Sequence, residues 1–322
     1  MPGMMRYPYE PVDNSKVRSR SIQQRATKVG LGQFGKVYRK GDGLSGWIDS
    51  LPNLLAGSAL RRVVQALVSA RSLKKPLIWG LGGHVIKCGL SPVLIDLMER
   101  GFVTALALNG ASAIHDFEIA LAGSTSEDVE SELEDGDFGM SHETAEGMNE
   151  AIVEGVGRGQ GLGEAIGAYL DDRSNRFPFA QASLLAAAFQ RKIPVTVHVG
   201  IGTDTIHMHP SADGGLLGRG SLQDFRLLAA IVRDLNEGGV YLNCGSAVIL
   251  PEVFLKAVSL VRNLGAPLQR FTTVNLDFLQ HYRPHHNVVK RPTRGSGQGI
   301  ELTGHHELMI PLLAAALIES ET

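Results

Sequence analysis

Between residues 76 and 319, short apolar runs alternate with longer stretches whose apolar residues recur every three or four positions. The short runs are PLIWGLG (76–82), FVTALALNG (102–110), IPVTVHVGIG (193–202), GVYLNCGS (239–246) and LQRFTTVNLD (268–277). They are apolar throughout rather than alternating, as strands covered on both faces are. The longer stretches are SPVLIDLMERG (91–101), FAQASLLAAAFQRK (179–192), SLQDFRLLAAIVRDLNEGG (221–239), PEVFLKAVSLVRNLG (251–265) and ELMIPLLAAALIE (307–319). Their spacing predicts helices, several closed by Gly, Lys or Arg. Strands alternating with helices of this length predict right-handed βαβ units and a mostly parallel sheet with helices on both faces.

Upstream, the spacing of Leu54, Leu55, Leu60, Val63, Val64 and Leu67 predicts an amphipathic helix within Trp47–Ala70. Residues 1–45 are polar, basic in places and punctuated by glycine. They are expected to form an arm laid on the surface or on a partner subunit, with residues 46–322 as one α/β domain. SEDVESELEDGDFGM (126–140) breaks the alternation and is expected to be a solvated acidic insertion.

The predicted strands end in small residues: GLGGH (80–84), LNGAS (108–112), GIGTD (200–204) and NCGSA (243–247). In an open parallel sheet, ligands bind beyond the carboxyl ends of the strands. Small residues there allow close approach, and the next helix offers unpaired N–H groups to an anion. Any one of these alone reads as a tight βα turn; four at one rim favour a nucleotide-sized ligand. No G-x-G-x-x-G with an acidic residue some 20 positions on follows any strand, so a standard dinucleotide half is not supported.

Composition narrows the partners. The 322 residues carry a formal net charge of -2, which offers no basic footprint for nucleic acid or an anionic membrane. No apolar run reaches the ~18 residues of a membrane span, and the N-terminus lacks a signal-peptide core. Cys88 and Cys244 read as reduced thiols. The expectation is a cytoplasmic protein.

The segment GGHVIKCGLSPVLIDLMERGFVTALALNGASAIHDFEIAL resembles the deoxyhypusine synthase family. In that family a turn and helix lead to a strand ending in small residues, and an acidic pair opens the next helix. The resemblance runs on through IPVTVHVGIGTD, NCGSAVI, TTVNLD and the last helix, and covers roughly residues 75–320. It implies a Rossmann-like, deoxyhypusine synthase-like fold that binds NAD, assembled as a homotetramer with active sites between subunits. Carried over, the cofactor would sit on Gly83, His84, Asn109, Gly110, Ala111, His115, Asp116, Gly245, Ser246 and Asn275. Asp204 would face the ribose or an amine substrate. The family's imine-forming lysine corresponds most nearly to Lys290, with His286 close by and Arg291 beside it. Neighbouring positive charge lowers a lysine's pKa and frees its amine. The family's acidic and aromatic residues before that lysine are His285, His286, Asn287 and Val288 here. Its Lys-His-His after a Gly-rich turn is replaced by Leu250-Pro251-Glu252.

The leading reading is thus NAD-dependent amine oxidation and alkylamine transfer through a lysine imine, on a small amine or a nucleotide-containing substrate. Two alternatives stand beside it. His207-Met-His209 with Asp204 suggests a metal-dependent hydrolase, although no H-E-x-x-H or Cys-x-x-Cys supports one and the leading reading assigns no metal. A non-catalytic nucleotide-binding protein is the other.

Overall fold

A computed structural model describes residues 7–321. β1 (Leu77–Leu81) is central and pairs in parallel with β2 (Ala105–Asn109) on one side and β4 (Val240–Cys244) on the other. β3 (Val195–His198) continues beyond β2; β5 (Thr272–Asp277) and β6 (Gln298–Thr303) continue beyond β4. The order is β3-β2-β1-β4-β5-β6 and every pairing is parallel. This is the doubly wound, Rossmann-like arrangement, with its reversal between β1 and β4.

Side chains alternate across the sheet, as the pleat requires. Leu77, Trp79 and Leu81 enter one core with Leu106, Leu108, Leu242, Val274 and Ile300. There they meet the helices Leu55–Ser72, Ser91–Glu99 and His306–Glu319, among others. Ile78, Ala105, Ala107 and Tyr241 enter the other core, under the helices Gly214–Arg233 and Ile249–Asn263. Each fully buried Leu, Val or Phe contributes roughly 1.5–3 kcal/mol of transfer free energy. Two-sided burial is why the strands carry no polar face.

The structure differs from expectation in five places. The helix expected within 47–70 is two, Gly43–Ser50 and Leu55–Ser72, divided at Pro52, whose ring disfavours a helical residue before it. The acidic insertion is exposed but holds a short helix, Val129–Asp135. Two packed helices, His142–Gly157 and Leu162–Asp172, follow it in the β2–β3 crossover. β6 is a sixth strand. The helix expected over 221–239 runs from Gly214 to Arg233, its Leu216 N–H capped by the Asp213 carboxylate.

Residues 7–43 lie along the surface, exposed except for the half-buried Gln33. The first six residues of the expected arm lie outside the described residues. No helix among the described residues is long and apolar enough to cross a membrane.

Candidate functional site

The carboxyl ends of β1 and β4 meet at the topological reversal. The Gly82 N–H donates to the Cys244 carbonyl (2.8 Å) and the Gly245 N–H to the Leu276 carbonyl (3.2 Å). A side chain at Gly82 would overlap the Gly245 carbonyl, and Gly245 itself sits at φ 72°. A Cβ on Gly83 would meet Ala111 and His115 at 3.2 Å each, and one on Gly110 would overlap the Asp204 carboxylate. These glycines let the rim loops pack closely on one another.

Two buried polar side chains lie under this rim. His306, fully buried, points Nε2 at the Leu276 carbonyl (3.2 Å). Burial lowers its pKa, so the ring is neutral and Nδ1 is left as an acceptor without a protein donor. Asn243 gives its amide N–H groups to the Ser246 carbonyl and to Asn275 Oδ1 (both 2.8 Å), and its own Oδ1 has no partner. Two acceptors, Asn243 Oδ1 and His306 Nδ1, thus lie buried under one rim without a protein partner.

Beside the rim is a cleft of about 230 Å³ whose walls include Lys87, Ala111, His115, Glu118, Glu127 and Asp204. Asp204 and His207 are both more than nine-tenths buried in their side chains, with Asp204 Oδ2 and His207 Nε2 3.9 Å apart and neither otherwise bonded. His207 Nδ1 accepts from the Gly202 N–H (3.2 Å), so a neutral ring carries its proton on Nε2, facing the carboxylate. Burial raises the Asp204 pKa, opposed by His207 and Thr203. His115 Nδ1 bonds the Thr125 hydroxyl (2.7 Å), which donates in turn to Glu118. Three carboxylates, Glu118, Glu127 and Asp204, and one lysine line the cleft.

The remaining expected residues fall as follows. Asn109 caps the helix Gly110–Ala122, its Oδ1 accepting from the Ser112 N–H (2.9 Å). Asp116 is fully buried and accepts from Ser183 Oγ (2.5 Å), Leu184 N–H (2.7 Å) and Leu185 N–H (3.0 Å). That carboxylate pins the helix Leu184–Gln190 at its first turn. Ser246 Oγ accepts from the Leu250 N–H (3.2 Å), and Asn275 bridges Asn243 and Gln280. His286 lies against Tyr282, with ring centroids 4.3 Å apart. Lys290 ends a π-helical turn, Pro284–Lys290. Just before it, the Val288 carbonyl accepts from Thr273 Oγ1 (2.7 Å) and Val289 covers Gly299. Those contacts lie at the first residues of β5 and β6, so Lys290 is exposed toward the end of the sheet opposite the rim.

The structure thus brings Gly83, His84, Gly110, Ala111, His115, Asp204, Gly245 and Ser246 together, and leaves Asp116, His286 and Lys290 apart from them. Lys87, which sequence reasoning did not single out, joins the group, as does His207, expected beside Asp204 only as a metal ligand. His207 and His209 do not share a side: His209 Nδ1 bonds Ser211 Oγ (2.8 Å) near His142. The two-histidine metal site is not formed.

The chain matches no protein-family model and no curated protein. Among solved structures it is similar to a conserved candidate LOR/SDH protein from Methanococcus maripaludis S2, at 15% identity and a TM-score of 0.52, over 82% of this chain and 70% of that one. It is similar also to AgrE in ternary complex with ornithine and NAD+, at 15% identity and a TM-score of 0.51, over 82% of this chain and 33% of AgrE. A candidate deoxyhypusine synthase from Entamoeba histolytica matches over 89% of this chain and 96% of its own at 12% identity; its TM-score of 0.49 carries no argument. The fold is what is shared. This chain spans about a third of AgrE's length.

Proposed function

We propose that the chain is an NAD-dependent enzyme of deoxyhypusine synthase-like fold that oxidises a small amine held in the cleft beside the β1/β4 rim. The observation that carries this reading is Asp204, backed by the buried His207, in the wall of an acidic cleft too small for a dinucleotide but sized for an aliphatic amine. The neighbour crystallised with ornithine and NAD+ supports it. The two free acceptors under the rim, Asn243 Oδ1 and His306 Nδ1, suit the amide and hydroxyl donors of a dinucleotide. Bound NAD+ supplies a two-electron hydride acceptor.

The chain's own residues do the rest. Glu118, Glu127 and Asp204 attract and orient the ammonium group. Oxidation of R–CH2–NH3+ to R–CH=NH2+ releases one hydride and one proton. Asp204, made more basic by desolvation, takes the proton, and the His207 Nε2–H steadies the carboxylate. Lys87 is the only amine among the cleft's lining residues, and Lys290 is not among them. In this reading the Lys87 amine adds to the imine carbon, ammonia leaves, and the lysine imine so formed carries the fragment to be transferred.

Incubation with NAD+ and a panel of small mono- and diamines is expected to produce reduced nicotinamide, with Asp204→Asn lowering kcat at least 100-fold, the scale of a lost general base. Borohydride is expected to label Lys87. Absence of reduction with every amine defeats the reading; labelling of Lys290 instead defeats the assignment of Lys87.

A further inference from the structure

His84, Cys88 and Glu307 bring three different metal-ligating atoms to one point on the same rim, outside the acidic cleft. His84 and Cys88 stand four residues apart, at the start and just past the end of the helix Gly83–Lys87, so both face one side. Glu307 comes from the first turn of the helix His306–Glu319, more than two hundred residues away in sequence. His84 Nε2 lies 3.4 Å from Cys88 Sγ, and Cys88 Sγ lies 3.8 Å from Glu307 Oε2. All three ligating atoms lie within 4.8 Å of one another.

We infer that His84, Cys88 and Glu307 form a zinc-class divalent metal site with an open fourth coordination position. The spacing is the first argument. With metal–sulfur bonds of about 2.3 Å and metal–nitrogen or –oxygen bonds of about 2.0–2.1 Å, tetrahedral ligands stand roughly 3.3–3.7 Å apart. Two of the three edges are already close to that, and the third closes by a side-chain rotation of the exposed Glu307. The donor set is the second argument. One thiolate, one imidazole and one carboxylate select zinc and its neighbours over calcium or magnesium, which take oxygen. Access is the third. Three protein ligands with His84 and Glu307 exposed leave room for water or a substrate atom, as in catalytic rather than closed structural sites. The surroundings hold the ligands in place. Phe278 packs edge-on to the His84 ring at 5.9 Å, and His306 packs edge-on to it at 5.3 Å.

The other group of potential ligands among the described residues, His142, Glu146 and His209, serves as the competing location. There His142 and Glu146 are 70% and 52% exposed and already bonded to each other at 3.2 Å, so capture of a metal must break a contact between two freely moving side chains. The inference at His84 does not depend on the amine-oxidation reading, because metal binding is read without NAD+ or turnover.

The test uses the full chain, stripped with a chelator and titrated with Co2+ and then Zn2+. A thiolate-to-cobalt charge-transfer band is expected to saturate at a single equivalent and to be bleached by Zn2+. Cys88→Ser should abolish the band, and His84→Asn and Glu307→Gln should each weaken Zn2+ binding at least tenfold. The Glu307→Gln chain, altered at an exposed position, should keep its thermal unfolding midpoint. A missing band overturns the inference, as does a band that survives Cys88→Ser and so belongs to Cys244. Stoichiometric binding lost in His142→Ala but kept in Glu307→Gln overturns it too, by placing the metal at the other group.

Discussion

Asp116 and Asp224 are carboxylates buried in the molecule, each holding backbone N–H groups of neighbouring elements. Asp224 accepts from the Val197 N–H (2.7 Å) and the Gly163 N–H (3.0 Å), which ties β3 to the helix Leu162–Asp172. Burial pushes its pKa up to about 7 and that of Asp116 up to about 6, against bonds that favour the ionised forms. Both folded values lie above the ordinary carboxylate value of 3.8, so over this range the folded chain holds protons that the unfolded chain releases. Their contribution is fully present below that value and is lost as pH rises through about 6 and 7. Urea unfolding at several pH values should show Asp224→Asn to be less stable overall but flatter between about pH 4 and pH 7 than the parent chain. Equal slopes would contradict this account. At the same scale, the sequence shows small residues at strand ends and an isolated Asp204, yet not that Gly110 lacks a side chain because the Asp204 carboxylate occupies its place. That fact depends on two residues far apart in the chain. His207 was legible beside Asp204 but was paired with His209: an H-x-H spacing suggests two rings on one side, and the 3-10 turn Thr205–Met208 separates them.

Elements were legible where hydrophobic period and length agreed, as in β1, β2, β4 and the helix Ile249–Asn263. They were obscured where glycine serves packing inside a helix. Gly155 and Gly163 weaken the helical signal of 142–172, but a Cβ at Gly155 would overlap Ala165 and one at Gly163 the Val195 carbonyl. β6 was hidden by its place at the sheet edge, where only Ile300 and Leu302 are fully buried and a Gly-rich stretch precedes it. Lys290 was placed by motif order, and the π-helical turn carries it away from the rim. The same logic makes Gly82 an element-scale keystone. Gly82→Ala forces the ends of β1 and β4 apart at a backbone contact, and should cost about 1–3 kcal/mol or more in urea unfolding, the usual range for overpacking. An unchanged midpoint would show that the two ends are not in contact.

For the whole molecule, the surface leaves one feature without a role in a lone chain. Tyr9, Val12, Leu31 and Val37 on the N-terminal segment are 81%, 92%, 82% and 89% exposed. Scattered apolar side chains are ordinary on a surface, but a segment that carries so many in series is better explained by a covering partner. With the family resemblance, this supports the proposal that the chain assembles as a homotetramer with the segment laid on a second copy. Light scattering is expected to give about four times 34.6 kDa for the full chain. Deletion of residues 1–40 is expected to lower that mass while leaving the circular dichroism unchanged. A monomer mass for the full chain at micromolar concentration would refute the assembly.

The central claim is that the β1/β4 rim holds a dinucleotide and the Asp204 cleft an amine. Its most direct measurement is an isothermal titration of the full-length chain with NAD+, followed by a small diamine at saturating NAD+. The account predicts one NAD+ site per chain and a second heat from the amine. Asp204→Asn should remove the second heat while leaving the first. No heat from NAD+ at millimolar concentration, or an amine heat that Asp204→Asn leaves intact, would contradict it.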